Sequence, residues 1–71
     1  MKIAILGAGN MGGAIAKGLV RSGVPAGDIA LTRTQPGTPE DLAAAGLSVG
    51  TDNRAAVEGA EVVFVAVKPW L

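Results

Sequence analysis

The chain has no cysteine and no histidine, and its six basic residues cancel its six acidic ones. Without cysteine there is no disulfide, no thiolate metal site and no cysteine nucleophile. That composition suits a reducing compartment, and the cytoplasm is the expectation. Zero net charge gives no electrostatic attraction to nucleic acid or to an acidic membrane surface, so neither partner is expected. Long apolar runs are also missing. Val62-Val63-Phe64-Val65-Ala66-Val67 is the longest strongly apolar stretch, far short of the roughly 20 residues that a membrane span requires. Lys2 precedes apolar residues near the amino terminus, but Gly7 interrupts them before a signal-peptide core forms. There is no internal repeat or low-complexity tract, and no metal site is expected. At 71 residues the chain makes one small domain, below the commonest size of about 100–150 residues.

What is present is concentrated at the start. Residues 2–6 form a short apolar run with a β-branched residue at alternate positions, which predicts a strand buried on both faces. It leads directly into Gly7-Ala8-Gly9-Asn10-Met11-Gly12, a G-x-G-x-x-G motif. Beyond it Met11, Ala14, Ile15, Gly18, Leu19 and Ser22 fall at helical spacing. Strand, glycine turn and helix are together the context in which this motif marks a dinucleotide site. Gly7 allows the sharp turn off the strand. Gly9 lets backbone approach a pyrophosphate, and Gly12 lets the helix pack on the strand. The unpaired amides at the helix start, with their partial positive charge, make an anion site.

Further along, the first helix is expected from Asn10 to about Ser22, ended by Gly23 with Pro25 beyond. Lys17 and Arg21 lie four apart on its solvent side. Residues 26–28 form a turn, 29–32 a second strand and 33–37 a polar loop. Thr38 is placed to cap a short helix over residues 42–45, with Pro39 at its first position and Gly46 closing it. Residues 47–49 are a weak third strand. Asp52 or Thr51 caps a further helix whose small side is Ala55, Ala56 and Gly59, and residues 61–67 are the last strand. Alternating strands and helices predict an α/β fold, a Rossmann-type parallel sheet with right-handed crossovers and strand order 3-2-1-4.

In such a sheet the ligand lies beyond the carboxyl ends of the strands, where the strand order reverses. The glycine loop, residues 32–34, residues 50–53 and Lys68-Pro69 all fall on that edge. An NAD site places an acid about 20 residues past the glycines, on the ribose 2′-hydroxyl. Here Thr32, Arg33 and Thr34 stand in that region, with no acid. A carboxylate would repel the 2′-phosphate of NADP, whereas Arg33 can grip it and the two threonines add hydroxyls. The expected cofactor is therefore NADP, as NADPH. Asp28, Glu40, Asp41, Glu58 and Glu61 read as caps and surface charges, and no catalytic residue is assigned.

Gly7-Ala8-Gly9-Asn10-Met11-Gly12 with Ile15 and Gly18-Leu19, then Thr51-Asp52-Asn53, then residues 63–69 ending Ala66-Val67-Lys68-Pro69, resemble the amino-terminal domain of pyrroline-5-carboxylate reductase. The likeness covers nearly the whole chain. The glycine motif is shared with many β-hydroxyacid and ketopantoate-type reductases, while Thr-Asp-Asn paired with Ala-Val-Lys-Pro is more specific. The resemblance implies NADPH-dependent reduction of the cyclic imino acid 1-pyrroline-5-carboxylate to L-proline. It implies that Leu6, Gly7, Ala8, Gly9, Asn10 and Met11 hold the pyrophosphate and that Arg33 or its neighbours hold the 2′-phosphate. Asn53 would contact the adenosine ribose side, and Ala66, Val67, Lys68 and Pro69 would pass beside the nicotinamide. Trp70 departs from the family, which often has glutamine there.

The family's enzymes continue into a helical domain that binds substrate and forms a homo-oligomer, and nothing in residues 1–71 corresponds to it. The chain is thus expected to be a partial dinucleotide-binding domain, truncated after its fourth strand. Two alternatives stand beside this. One is another NADP-linked reductase of the same fold, acting on a deazaflavin or a 2-ketoacid. The other is a non-catalytic dinucleotide-sensing domain.

Overall fold

Residues 1–66 are described by the computed structural model. Their strands are β1 (Ile3–Leu6), β2 (Ile29–Thr32), β3 (Val49–Gly50) and β4 (Val62–Val65). All pair in parallel, in the order β3-β2-β1-β4, which is the 3-2-1-4 sheet expected from the sequence. The helices are α1 (Asn10–Arg21), α2 (Glu40–Ala44) and α3 (Asn53–Val57). From β1 to β3 the chain steps one way across the sheet, and from β3 to β4 it steps back. Right-handed crossovers therefore put α1 and α2 on one face and α3 on the other.

Alternation along the strands supplies both faces. Ile3 and Ile5 of β1, Ile29 and Leu31 of β2 and Val49 of β3 cluster with Ala16, Leu42 and Leu47 beneath α1 and α2. Ala4, between the two isoleucines, points the opposite way and is fully buried. The α3 side is built from small residues, with Ala56 buried but Ala55 and Gly59 exposed, so only one of the three expected packing positions faces inward. Lys2 closes this helix. Its ammonium donates to the carbonyls of Ala55 and Glu58 at 3.2 and 2.6 Å, satisfying end carbonyls where positive charge is favoured.

The element ends obey local chemistry, with some departures. The first helix stops where Gly23 takes φ +112°, as anticipated. Asp52, not Thr51, caps α3, accepting the Ala55 amide at 3.1 Å. Thr38 does not cap α2. Its hydroxyl accepts the Val49 amide at 3.1 Å, tying the loop to the edge strand, and Pro39 occupies the cap position without a side-chain bond. The helix consequently starts at Glu40 and ends at Ala44, ahead of the span read from the sequence. The third strand lies at Val49–Gly50 rather than over residues 47–49, because Leu47 is drawn into the core and its amide bonds the Leu42 carbonyl at 3.0 Å.

The fourth strand lies at the sheet edge, bonded to β1 alone among the described residues. Val62, Val63, Phe64 and Val65 are all exposed, Val65 to 66 %. The continuous apolar pattern called for cover on both faces, and the described residues do not supply it. Full burial of a large apolar side chain is worth about 1.5–3 kcal/mol, and an unpaired edge is a template for another strand. A polypeptide of these 71 residues alone is expected to self-associate or aggregate through β4. Sedimentation and light scattering would show it, and a cooperatively folding monomer would contradict it.

Candidate functional site

The first strand ends at Leu6, and Gly7 turns the chain with φ +96°, a conformation that favours glycine. The amides of Gly7 and Ala8 both donate to the Thr32 carbonyl, at 3.0 and 2.6 Å. The end of β2 thus pins the start of the loop. The helix ladder opens with the Gly13 amide on the Gly9 carbonyl at 2.8 Å. That leaves the amides of Asn10, Met11 and Gly12 in the first turn with no intrahelical acceptor. Gly9, at the cap, offers no side-chain bond, and the turn contains no acid. These donors and the helix dipole together favour an anion.

The two remaining glycines of the motif differ in what surrounds them. A Cβ on Gly9 would meet nothing within 4 Å, so the space above the loop is open. A Cβ on Gly12 would collide with the Gly7 carbonyl oxygen and lie 3.3 Å from Ile5 Cγ2. Gly12 is the packing contact expected of it, and Gly9 leaves the space above the loop open. The loop and first turn therefore fit a pyrophosphate. Within residues 6–11, Gly7 and Ala8 have their amides committed to Thr32, which leaves Gly9, Asn10 and Met11 as the free backbone donors among the loop and first turn.

From the loop a cleft of about 310 Å³ runs between α1 and α2. One wall is Asn10, Gly13, Ala14 and Lys17, a single face of α1 at helical spacing, and Pro39, Asp41 and Leu42 form the other. Arg33 stands at the cleft too, half-buried, with its Nε donating to the Gln35 carbonyl at 2.8 Å. That bond fixes the guanidinium but leaves both terminal nitrogens without a hydrogen bond among the described residues. Across the cleft Lys17 Nζ donates to Asp41 Oδ2 at 2.7 Å. The hydrogen bond from Lys17 is the main cause holding the Asp41 carboxyl below its ordinary pKa.

The other anticipated site residues are dispersed around this cleft. Thr32 is 2 % exposed, and its hydroxyl donates to Asn53 Oδ1 at 2.5 Å. It faces α3, away from Arg33, so it positions Asn53 and the loop instead of offering a hydroxyl to the cleft. Thr34 is exposed and does not line the cleft. Ala66 continues the β4 pairing, its amide on the Leu6 carbonyl at 2.8 Å, which sets it beside the start of the loop. Val67, Lys68 and Pro69 lie outside the described residues. Lys17 and Asp41 were read as solvated charges. Their signal in the sequence is slight: Asn10, Gly13, Ala14 and Lys17 share a helical face, but nothing local says that α2 packs across it.

A parallel sheet of this order, with a glycine turn and a bare helix start at the point where strand order reverses, defines a Rossmann-type dinucleotide-binding unit. The chain belongs to the family described as NADP oxidoreductase, coenzyme F420-dependent, which matches residues 2–70. It is also similar to pyrroline-5-carboxylate reductase 1 of Dictyostelium discoideum, 44 % identical over 68 residues, covering 94 % of this chain and 12 % of that protein. The pyrroline-5-carboxylate reductase of Vibrio alginolyticus is 44 % identical over 73 residues, covering 99 % of this chain and 26 % of that protein. Pyrroline-5-carboxylate reductase 3 of Danio rerio is 36 % identical over 72 residues, covering 100 % and 25 % respectively. The chain thus spans about a quarter or less of the length of these curated relatives. No solved structure matches it significantly. Among the described residues no helix is long and apolar enough to cross a membrane, and no cluster of His, Cys, Asp or Glu could hold a metal.

Proposed function

We propose that this chain is the cofactor-binding part of a cytoplasmic enzyme that reduces 1-pyrroline-5-carboxylate to L-proline with NADPH. The observation that carries it is the 44 % identity, across nearly the whole chain, to proteins named for that reaction. NADPH, when bound, supplies the hydride. This chain's own residues bind and orient it. The amides of Asn10 and Met11 take the pyrophosphate, Arg33 takes the 2′-phosphate, and Asn53, held by Thr32, lies towards the adenosine ribose. Ala66 lies towards the nicotinamide. Substrate binding and homo-oligomer formation belong to a helical domain outside these residues.

Oxidation of NADPH by the intact protein, dependent on the cyclic imine and yielding proline, tests the proposal. One second reading has its own support, since the family description names coenzyme F420. Turnover with an oxidised deazaflavin but not with the imine would favour that reductase. Dinucleotide binding without turnover on either would favour a sensing domain.

Cofactor preference gives a sharper expectation. NADPH should bind more tightly than NADH, and Arg33→Ala should remove most of the difference while leaving NADH affinity unchanged. Losing hydrogen bonds from a charged group costs about 1.5–3 kcal/mol, or about tenfold to a hundredfold in Kd. Fluorescence titration of both cofactors against both proteins measures it. NADH binding as tightly as NADPH would refute the assignment.

A further inference from the structure

Three charged residues line the cleft between α1 and α2: Lys17, Arg33 and Asp41. Arg33 is fixed through its Nε, and its terminal nitrogens make no hydrogen bond among the described residues. Lys17 is differently placed. It lies two helical turns below Asn10 on the same face of α1, and its ammonium is held by Asp41 from the opposite wall. Nothing about that pair makes it a buried tie. The two side chains are 37 % and 60 % exposed, and ion pairs this open to solvent are weak and readily exchanged. The loop fixes a pyrophosphate near Asn10, and a 2′-phosphate is one ribose away from it. Lys17 and Arg33 line the same cleft as Asn10, so a nucleotide seated on the loop has both cations beside it.

We propose that Lys17 is the second cation of the 2′-phosphate site, held by Asp41 across the cleft and transferred to the phosphate when NADPH binds. This rests on the reading that the cleft takes an NADP cofactor. A phosphate of nearly two charges, with three acceptor oxygens, competes favourably with one half-solvated carboxylate for an ammonium. Asp41 then has a role of its own. It lowers the attraction of the cleft for the 2′-phosphate, because Lys17 must leave it and because its own charge remains nearby. With NADH there is no 2′-phosphate and the pair stays closed. Lys17 and Asp41 are in this sense specificity-determining, while Arg33 is the fixed anchor.

The test is titration of the intact protein with NADPH and with NADH, using Lys17→Met, Lys17→Arg, Asp41→Asn and Arg33→Ala, each checked for folding by circular dichroism. Lys17→Met is expected to weaken NADPH about tenfold, the lower end for loss of a hydrogen bond from a charged group, and to leave NADH within about twofold. Lys17→Arg should keep most of the preference. Asp41→Asn should tighten NADPH about three- to fivefold without changing NADH. A simple brace between α1 and α2 would move both cofactors together, so an unchanged NADPH-to-NADH ratio in Lys17→Met overturns the proposal. If that variant does not fold, Asp41→Asn decides, and an unchanged ratio there is equally fatal. Arg33→Ala separates the two levels. If it abolishes the preference while the Lys17 and Asp41 variants leave it intact, only the present inference falls. If the unaltered protein shows no preference for NADPH, the cofactor reading falls with it.

Discussion

Gly12→Ala is expected to destabilise the intact protein by about 3 kcal/mol, at the upper end of what overpacking usually costs. The added methyl would overlap the Gly7 carbonyl oxygen and press within 3.1 Å of the Gly7 carbonyl carbon. Both are backbone atoms, so no rotamer change relieves the clash. The segment cannot easily retreat either, since the amides of Gly7 and Ala8 are bonded to the Thr32 carbonyl. Alanine does favour the helix over glycine by about 1 kcal/mol, which offsets only part of the strain. Urea denaturation of the two proteins measures the balance. A midpoint and slope matching the unaltered protein would mean that α1 can slide off β1, and that the close approach is not needed.

Gly9→Val should have the opposite profile, with folding retained and dinucleotide affinity lost. Gly9 has φ −84°, outside the left-handed region that favours glycine, and a Cβ there meets nothing within 4 Å. The cap position prefers glycine over valine, a penalty of about 1 kcal/mol at most. The valine methyls would instead fill the open space in front of the Asn10 and Met11 amides. NADPH affinity should fall by about a hundredfold or more, equivalent to about 2.7 kcal/mol. Calorimetric titration beside a thermal melt reads both quantities. Normal binding by a folded Gly9→Val protein would make the loop a structural turn only.

The parts of this molecule legible in its sequence are those determined by neighbours along the chain. The strand before Gly7, the turn, the helix from Asn10, its stop at Gly23 and the cap at Asp52 all follow from local periodicity or local backbone needs. So does the sheet order, because alternation of strands and helices and handed crossovers leave few choices. What escaped involves partners far apart in sequence. Thr38 was read as a cap because capping is the local use of a threonine before a proline, but the edge strand presents it with the Val49 amide. Thr32 looked like a ligand hydroxyl, and the buried contact with Asn53 takes it to the other face. Lys17 and Asp41 looked like surface charges because the packing of Leu42 against Gly13, at 3.4 Å from where a Cβ would sit, is what brings their helices together. The expectation for Arg33 has a different origin. Its signal was an acid missing from a known distance beyond the glycines.

Two adjacent positions at the end of β2 carry separate burdens. Thr32 is wholly structural, its carbonyl bonded to the glycine loop and its hydroxyl to Asn53. Arg33 contributes a backbone amide to the Gly50 carbonyl at 2.9 Å, which almost any residue could supply, and its side chain bonds through Nε alone, to the Gln35 carbonyl, among the described residues. Exchange at position 33 is therefore expected to leave the glycine loop undisturbed. A lineage with this arrangement can vary the residue that stands at the cleft while its immediate neighbour stays locked.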